Sequence, residues 1–401
     1  MRVNNYEMDT AVKEKVDLIA DPIFSKAQET SANYGVYNGE FGQLLFLLYY
    51  SRFTEKEEHI LLTDNYAERL MQQFVEKEKM HSFCSGLSGI LYMFDSLREH
   101  QIINLDASNV QQFLEDYMVA KMREDMRRKH YDFMHGALGV GLYFLKRKSN
   151  PEIIQELIDF LYHTAEKDDK NNHFKWVSMV NQEKRLYAYN LALSHGISSI
   201  IIFLSRVLQS GMMDEKIREL INGSVNFVLS HEKNFSQFGS FFPNYILINP
   251  QEPASKSRIA WCYGDLGVGM ALWQAGKAMK KSEWEEKGLE ILLRSTERRI
   301  LSDTFVSDAE ICHGSAGVAM IFRRMFIETK REAFNDAVSY WINQTLNFST
   351  FKDGLAGYKT REKDGWRNDY SLLSGISGIG LVLLSYLEND NQDWDELFLM
   401  S

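Results

Sequence analysis

The sequence holds little proline, 5 in 401 residues, against a usual share of roughly 5%. Proline removes a backbone donor and stops helices, so a long chain nearly without it reads as mostly helical. Three of the five, Pro243, Pro250 and Pro253, crowd one short stretch and mark a loop. Cysteine is scarce as well. Cys84, Cys262 and Cys312 form no disulfide framework and fit a reducing compartment. Basic residues are in deficit, 45 against 55 acidic, for a net charge of −10. That argues against nucleic acid as a partner, because phosphate neutralisation needs a basic surface. The run Met122 to His130 is interleaved with Glu124 and Asp125 and reads as a solvated helix end. Apolar runs reach only about 8 to 12 residues where a membrane span needs about 18, so no integral membrane segment is expected. Met1 to Lys15 is polar and charged, unlike a secretory signal. A cytoplasmic protein is expected.

What the sequence does hold is a repeat written in glycine. Seven times a G-x-x-G motif opens an apolar run: at Gly39, Gly86, Gly136, Gly196, Gly264, Gly314 and Gly375. In the fourth copy Ser199 replaces the second glycine. These windows contain 16 of the 25 glycines. An apolar run without a polar face is a helix buried on all sides. Glycine at its start lets backbones approach closely and frees the local dihedrals. Between the motifs lie segments of amphipathic helical spacing: 65–74, 110–122, 151–162, 215–229, 284–300 and 333–346. Buried and amphipathic helices in alternation predict an all-α protein, an α/α toroid of seven inner and seven outer helices in one domain, 1–401. The gap between copies four and five holds the proline cluster and Phe238 to Ile248. It predicts a long loop of some β character near the mouth of the toroid, with Lys167 to Tyr189 as a second excursion.

If every inner helix runs the same way, the residues before each first glycine face one common opening. All three cysteines stand two residues before that glycine, and His135, His195 and His313 stand one before it. Small residues filling tight helix starts would explain single cases. The combination points to a metal site, with zinc bound by thiolate and imidazole. Repeats five and six are neighbours, so Cys262 and the Cys312-His313 pair are expected to converge, with His195 at their border. Three protein ligands leave a fourth position open, as in catalytic zinc sites. Cys84 reads better as a small buried hydrophobe.

Trp261-Cys262-Tyr263-Gly264 and Cys312-His313-Gly314, set on seven glycine repeats, resemble the lanthionine synthetase C-like proteins. The resemblance spans essentially the whole chain. It implies an α/α toroid with a zinc ion at one mouth. It also implies a cyclase that adds peptide Cys thiols to dehydrated Ser and Thr, making thioether rings. By the same resemblance, Cys262, Cys312 and His313 are the zinc ligands. His195 matches the family's fourth-repeat histidine, Asp132 its third-repeat acid, Arg258 its arginine before the first cysteine, and Tyr263 its tyrosine after it. Ser199 departs from the pattern and leaves His195 in place.

Those residues suit the chemistry. Zinc deprotonates a thiol. Arg258 or the Tyr263 hydroxyl can stabilise the developing enolate oxygen. His195 can protonate the α-carbon, and Asp132 can orient an imidazole. The implied partners are a dehydrated precursor peptide, a dehydratase and an exporter, with the protein in the cytoplasm or peripheral at the inner membrane face. Two alternatives share the residues: addition of glutathione or another small thiol to dehydrated residues, and a non-catalytic peptide-binding scaffold. A zinc prenyltransferase subunit fits less well, since such subunits use an Asp ligand and a partner chain. No H-E-x-x-H or G-x-S-x-G motif occurs.

Overall fold

The computed structural model describes residues 6–29, 33–77, 80–103, 108–181, 183–250, 253–388 and 393–401. Helices dominate. They begin with α1 (Tyr6–Lys26), α2 (Glu40–Thr54), α3 (Glu57–Lys77), α4 (Leu87–Glu99), α5 (Ser108–Arg127), α6 (Ala137–Arg147), α7 (Pro151–Thr164) and α8 (Ile197–Gln209). They continue with α9 (Glu215–Leu229), α10 (Phe235–Phe238), α11 (Asp265–Met279), α12 (Ser282–Ser295), α13 (Leu301–Thr304), α14 (Ser315–Thr329), α15 (Glu332–Asn347) and α16 (Ile376–Leu387). A 3₁₀ helix, Asp393–Phe398, follows. The strands are β1 (Glu166–Asp168), β2 (His173–Lys175), β3 (Val177–Asn181), β4 (Leu186–Asn190), β5 (Tyr245–Leu247), β6 (Thr360–Glu362) and β7 (Gly365–Arg367). Two compact units emerge, Met1–Asn109 with Val306–Ser401, and Val110–Phe305.

In the first unit α2, α4, α14 and α16 follow glycine repeats one, two, six and seven. Each is buried nearly all round, as runs without a polar face require. The amphipathic partners are α3, α15 and α1. Helix α1 was not among the segments that spacing picked out. Its buried stripe, Val12, Val16, Ile19, Ala20 and Ile23, lies against α16. Pro22 sits inside α1, so one proline is tolerated within a helix, contrary to the simple breaker rule. Arg324 of α14 is buried and pairs with Asp393 at 3.0 Å and Asp395 at 2.5 Å, which ties down the 3₁₀ helix.

The second unit alternates buried α6, α8 and α11 with amphipathic α5, α7, α9 and α12. Pro151 opens α7 at its first turn, where a missing N–H costs nothing. Helix α12 stops at Ser295, short of the expected Ile300, and the chain turns into the one-turn α13. The two excursions expected between helices both carry strands. Strands β3 and β4 form an antiparallel pair, and β5 adds to β4 with Asn190 opposite Tyr245. The proline-rich stretch thus belongs to a three-stranded sheet of order β3-β4-β5.

Glycine opens each buried helix mainly for space. Six of the seven first glycines have extended backbone, from φ −100° at Gly314 to −145° at Gly86; Gly264 alone is left-handed, at +96°. The second glycine is tighter still. A Cβ at Gly89, Gly317 or Gly378 would lie 1.8–2.0 Å from the carbonyl oxygen six residues earlier. The expected freeing of dihedrals therefore applies at one repeat, and close approach explains the rest. In repeat four Ser199 fits, buried, with its hydroxyl donating to the Gly196 carbonyl at 2.8 Å.

Candidate active site

Before five of the seven buried helices the chain makes the same loop. The N–H after the first glycine donates to the carbonyl seven residues back: Glu40 to Asn33, Leu87 to Met80, Ala137 to His130, Ser315 to Asp308 and Ile376 to Asp369, at 2.8–3.1 Å. Six residues before the glycine an Asn or Asp usually caps the loop. Asn33, Asn190, Asp308 and Asp369 each accept a backbone N–H two residues on, at 2.7–3.4 Å. Arg258 holds this place in repeat five and cannot accept. The residue is half-buried.

The cysteine position is set by main chain. Two residues before the glycine, one repeat's N–H donates to the same position of the next repeat within a unit. Tyr37 N donates to Cys84 O at 3.0 Å, and Ser194 N to Cys262 O at 3.3 Å. Cys312 N donates to Leu373 O at 3.1 Å, and Leu373 N to Tyr37 O at 2.8 Å. No disulfide links the three cysteines.

The second unit brings Asp132 and His195 together and also carries Arg258, Cys262 and Tyr263. Asp132 Oδ2 meets His195 Nδ1 at 2.7 Å, while its other oxygen accepts the His135 backbone N–H at 2.8 Å. Burial pushes the Asp132 carboxyl up, yet the His195 and His135 interactions outweigh it and hold the group below the usual carboxylate range. Burial likewise pushes the His195 ring down, but the Asp132 bond and charge, with Cys262 contributing, keep it above the ordinary imidazole value. The His135 ring stacks on His195, with centroids 5.7 Å apart. Its own pKa is lowered, chiefly by burial. The Tyr263 hydroxyl accepts from Asn190 Nδ2 at 3.4 Å, which joins the end of β4 to the Trp-Cys-Tyr-Gly loop. Asp265, at the start of α11, accepts the Phe241 and Phe242 N–H groups at 2.9 Å each and anchors the stretch leading to β5. Its pKa is pushed up to about 6 by burial.

The first unit holds Cys312 and His313. Glu310 Oε1 lies 2.5 Å from His313 Nδ1 and also faces the His313 backbone N–H at 3.3 Å. Asp308, Glu310 and His313 offer donor atoms within 4.8 Å of one another. Both Asp308 oxygens already serve backbone amides, of Glu310 and Arg361. The latter bond ties the loop to the β6–β7 hairpin, which the sequence reading did not anticipate.

The family model for lanthionine synthetase C-like proteins matches residues 30–399. The chain belongs to the lanthionine synthetase C-like family. Among its curated relatives is the nisin biosynthesis protein NisC of Lactococcus lactis subsp. lactis, 24% identical over 347 residues, covering 80% of this chain and 78% of that one. Among solved structures, nisin cyclase matches with a TM-score of 0.76 at 20% identity, covering 97% of each chain. The all-α, α/α-toroid class expected from the repeat is the fold this family member has. Among the described residues, no helix is long and apolar enough to cross a membrane. Sequence reasoning missed Glu310, Asn190 and the His135 stack. Glu310 had a signal, since it stands four residues before its glycine, as Asp132 does.

Proposed function

We propose that this chain is a lanthipeptide cyclase. It adds the thiol of a peptide Cys to a dehydroalanine or dehydrobutyrine of the same peptide and makes (methyl)lanthionine rings. Family membership and the likeness to NisC support the reading. The observation that carries it is the Asp132–His195 pair, at 2.7 Å, in the same unit as Cys262. We further propose that Cys262, Cys312 and His313 hold one zinc ion, and that the two compact units work as one domain, since the family match runs through both. The donor set suits zinc: two thiols free of disulfide bonding and an imidazole whose Nδ1 is engaged by a carboxylate, so that Nε2 is the nitrogen able to ligate. Zinc held there would lower the pKa of a substrate thiol, ordinarily about 8.5, so that its proton passes to solvent and thiolate is present at neutral pH.

The rest is work for the chain's own residues. As the new bond forms between Sγ and the β-carbon, the alkene electrons move onto the neighbouring carbonyl oxygen. We assign stabilisation of that oxygen to the Arg258 guanidinium and the Tyr263 hydroxyl, the pair the family resemblance implies. His195 carries its transferable proton at Nε2 and gives it to the α-carbon. Asp132 holds Nδ1–H and so fixes the tautomer. The substrate must come from a reaction that removes water from Ser and Thr side chains, which implies a dehydratase upstream. Cysteines without disulfides suit a reducing compartment, and we place the enzyme in the cytoplasm.

The test is incubation of the full chain with a dehydrated, Cys-containing peptide, followed by thiol alkylation and mass spectrometry. Loss of alkylatable thiol at unchanged peptide mass is expected. Unchanged alkylation, with glutathione added to the peptide in a parallel reaction, favours small-thiol addition. No reaction in either arm overturns the enzymatic reading.

A further inference from the structure

In four of the seven repeats the position four residues before the first glycine is a capping site. Ser82 and Ser371 accept the backbone N–H three residues on, both at 3.3 Å. Asp132 and Glu310 do the same, at 2.8 and 3.3 Å. These two carboxylates do something more, because each also engages a histidine ring at Nδ1, His195 at 2.7 Å and His313 at 2.5 Å. The Glu310 side chain is 1% exposed, against 27% for the His313 ring it holds. A carboxylate so buried stays anchored, whereas the ring has an exposed side. Asp308 fixes the loop from the other end through the Glu310 and Arg361 amides, so the carboxylate is carried on an immobilised backbone.

We propose that Glu310 is a positioning residue for metal binding. It takes the Nδ1–H of His313, locks the tautomer that presents Nε2, and makes that nitrogen a better donor. The proposal rests on the zinc reading above. A carboxylate behind a ligating histidine orients the ring, and its loss typically lowers metal affinity by about 10–100-fold. Glu310 is therefore the repeat-six counterpart of Asp132, turned from proton chemistry to ligand orientation.

The test is zinc affinity of the full chain, by competition with a chromophoric chelator, for wild type, Glu310→Gln and Glu310→Ala. The absorption spectrum of the cobalt-substituted protein and the melting temperature of the metal-free protein are read alongside. Wild type binds about one zinc per chain. Glu310→Ala is expected to bind about 10–100-fold more weakly. Glu310→Gln, which keeps an acceptor but not the charge, falls between. The cobalt spectrum shifts in both variants while metal-free melting changes little. Wild type without zinc overturns the zinc reading itself. Wild type with zinc, and variants binding it equally or more tightly with unchanged cobalt spectra, overturns only the role of Glu310. If affinity falls merely in step with the melting temperature and the cobalt spectrum is unmoved, Glu310 is a structural cap.

Discussion

Asp132 and Glu310 occupy the same place in repeats three and six, one in each compact unit. Asp132 reaches out of its own loop to His195 in the following repeat, 63 residues along the chain. Glu310, one methylene longer, turns back to His313, three residues on. The first histidine is stacked on a second imidazole, His135. The second follows Cys312 directly. One capping position thus engages two histidines, one across repeats and one within its own loop. Ser82 and Ser371 show the position with its capping role alone.

The largest separation of the two sides comes from their histidine loops. His195→Ala should keep its zinc but slow ring formation by about 10²–10⁴-fold, the range for losing a general acid. Cys312→Ala should lose zinc and ring formation together while its helical circular dichroism persists. Unaltered kinetics in the first variant remove His195 from the mechanism, and normal ring formation in the second removes Cys312 from the ligand set.

Asp132→Asn should act more gently and through pH. The acid form of His195 declines as pH rises through its raised pKa. Without the Asp132 charge that decline moves to lower pH, visible as a shifted alkaline limb in the rate profile. Stability follows the same pair. The lowered pKa of Asp132 gives stability present above about pH 4 and lost as pH falls through the folded value. The raised pKa of His195 gives stability present below about pH 6.5 and lost as pH rises past its folded value. Denaturant unfolding of wild type and variant should therefore differ most between about pH 4 and 6.5. A pH-independent difference would refute the linkage.

Ser371→Ala gives the smallest effect. It removes a cap without a histidine, so about 1 kcal/mol of stability is at stake. Zinc content and ring formation should not change; a loss of either would mean that the capping position itself, and not the carboxylate, sets the site.

Much of this was legible in the chain. The glycine spacing located all seven buried helices, because an apolar run has only one stable environment. The cysteine column was visible because all three cysteines share it. Other features depended on contacts that local pattern does not carry. Strand β5 pairs with β4 more than 50 residues upstream, across α8, α9 and α10. The β6–β7 hairpin is only three residues a side, and its two-residue turn, Lys363-Asp364, lacks the glycine that marks such turns. Glu310 looked like any helix-proximal acid until its loop was compared with that of Asp132.

The main-chain links between successive loops bear on how such a protein can vary. The step from repeat one to two is 47 residues and that from four to five is 68, yet Tyr37 meets Cys84 and Ser194 meets Cys262 through the same kind of N–H to carbonyl bond. The 21 extra residues are absorbed elsewhere, in the stretch that carries α10 and β5. Insertions can therefore lengthen or replace what lies between repeats without moving a sulfur atom. Those intervening segments are free to diversify while the loop positions that carry the cysteines stay put.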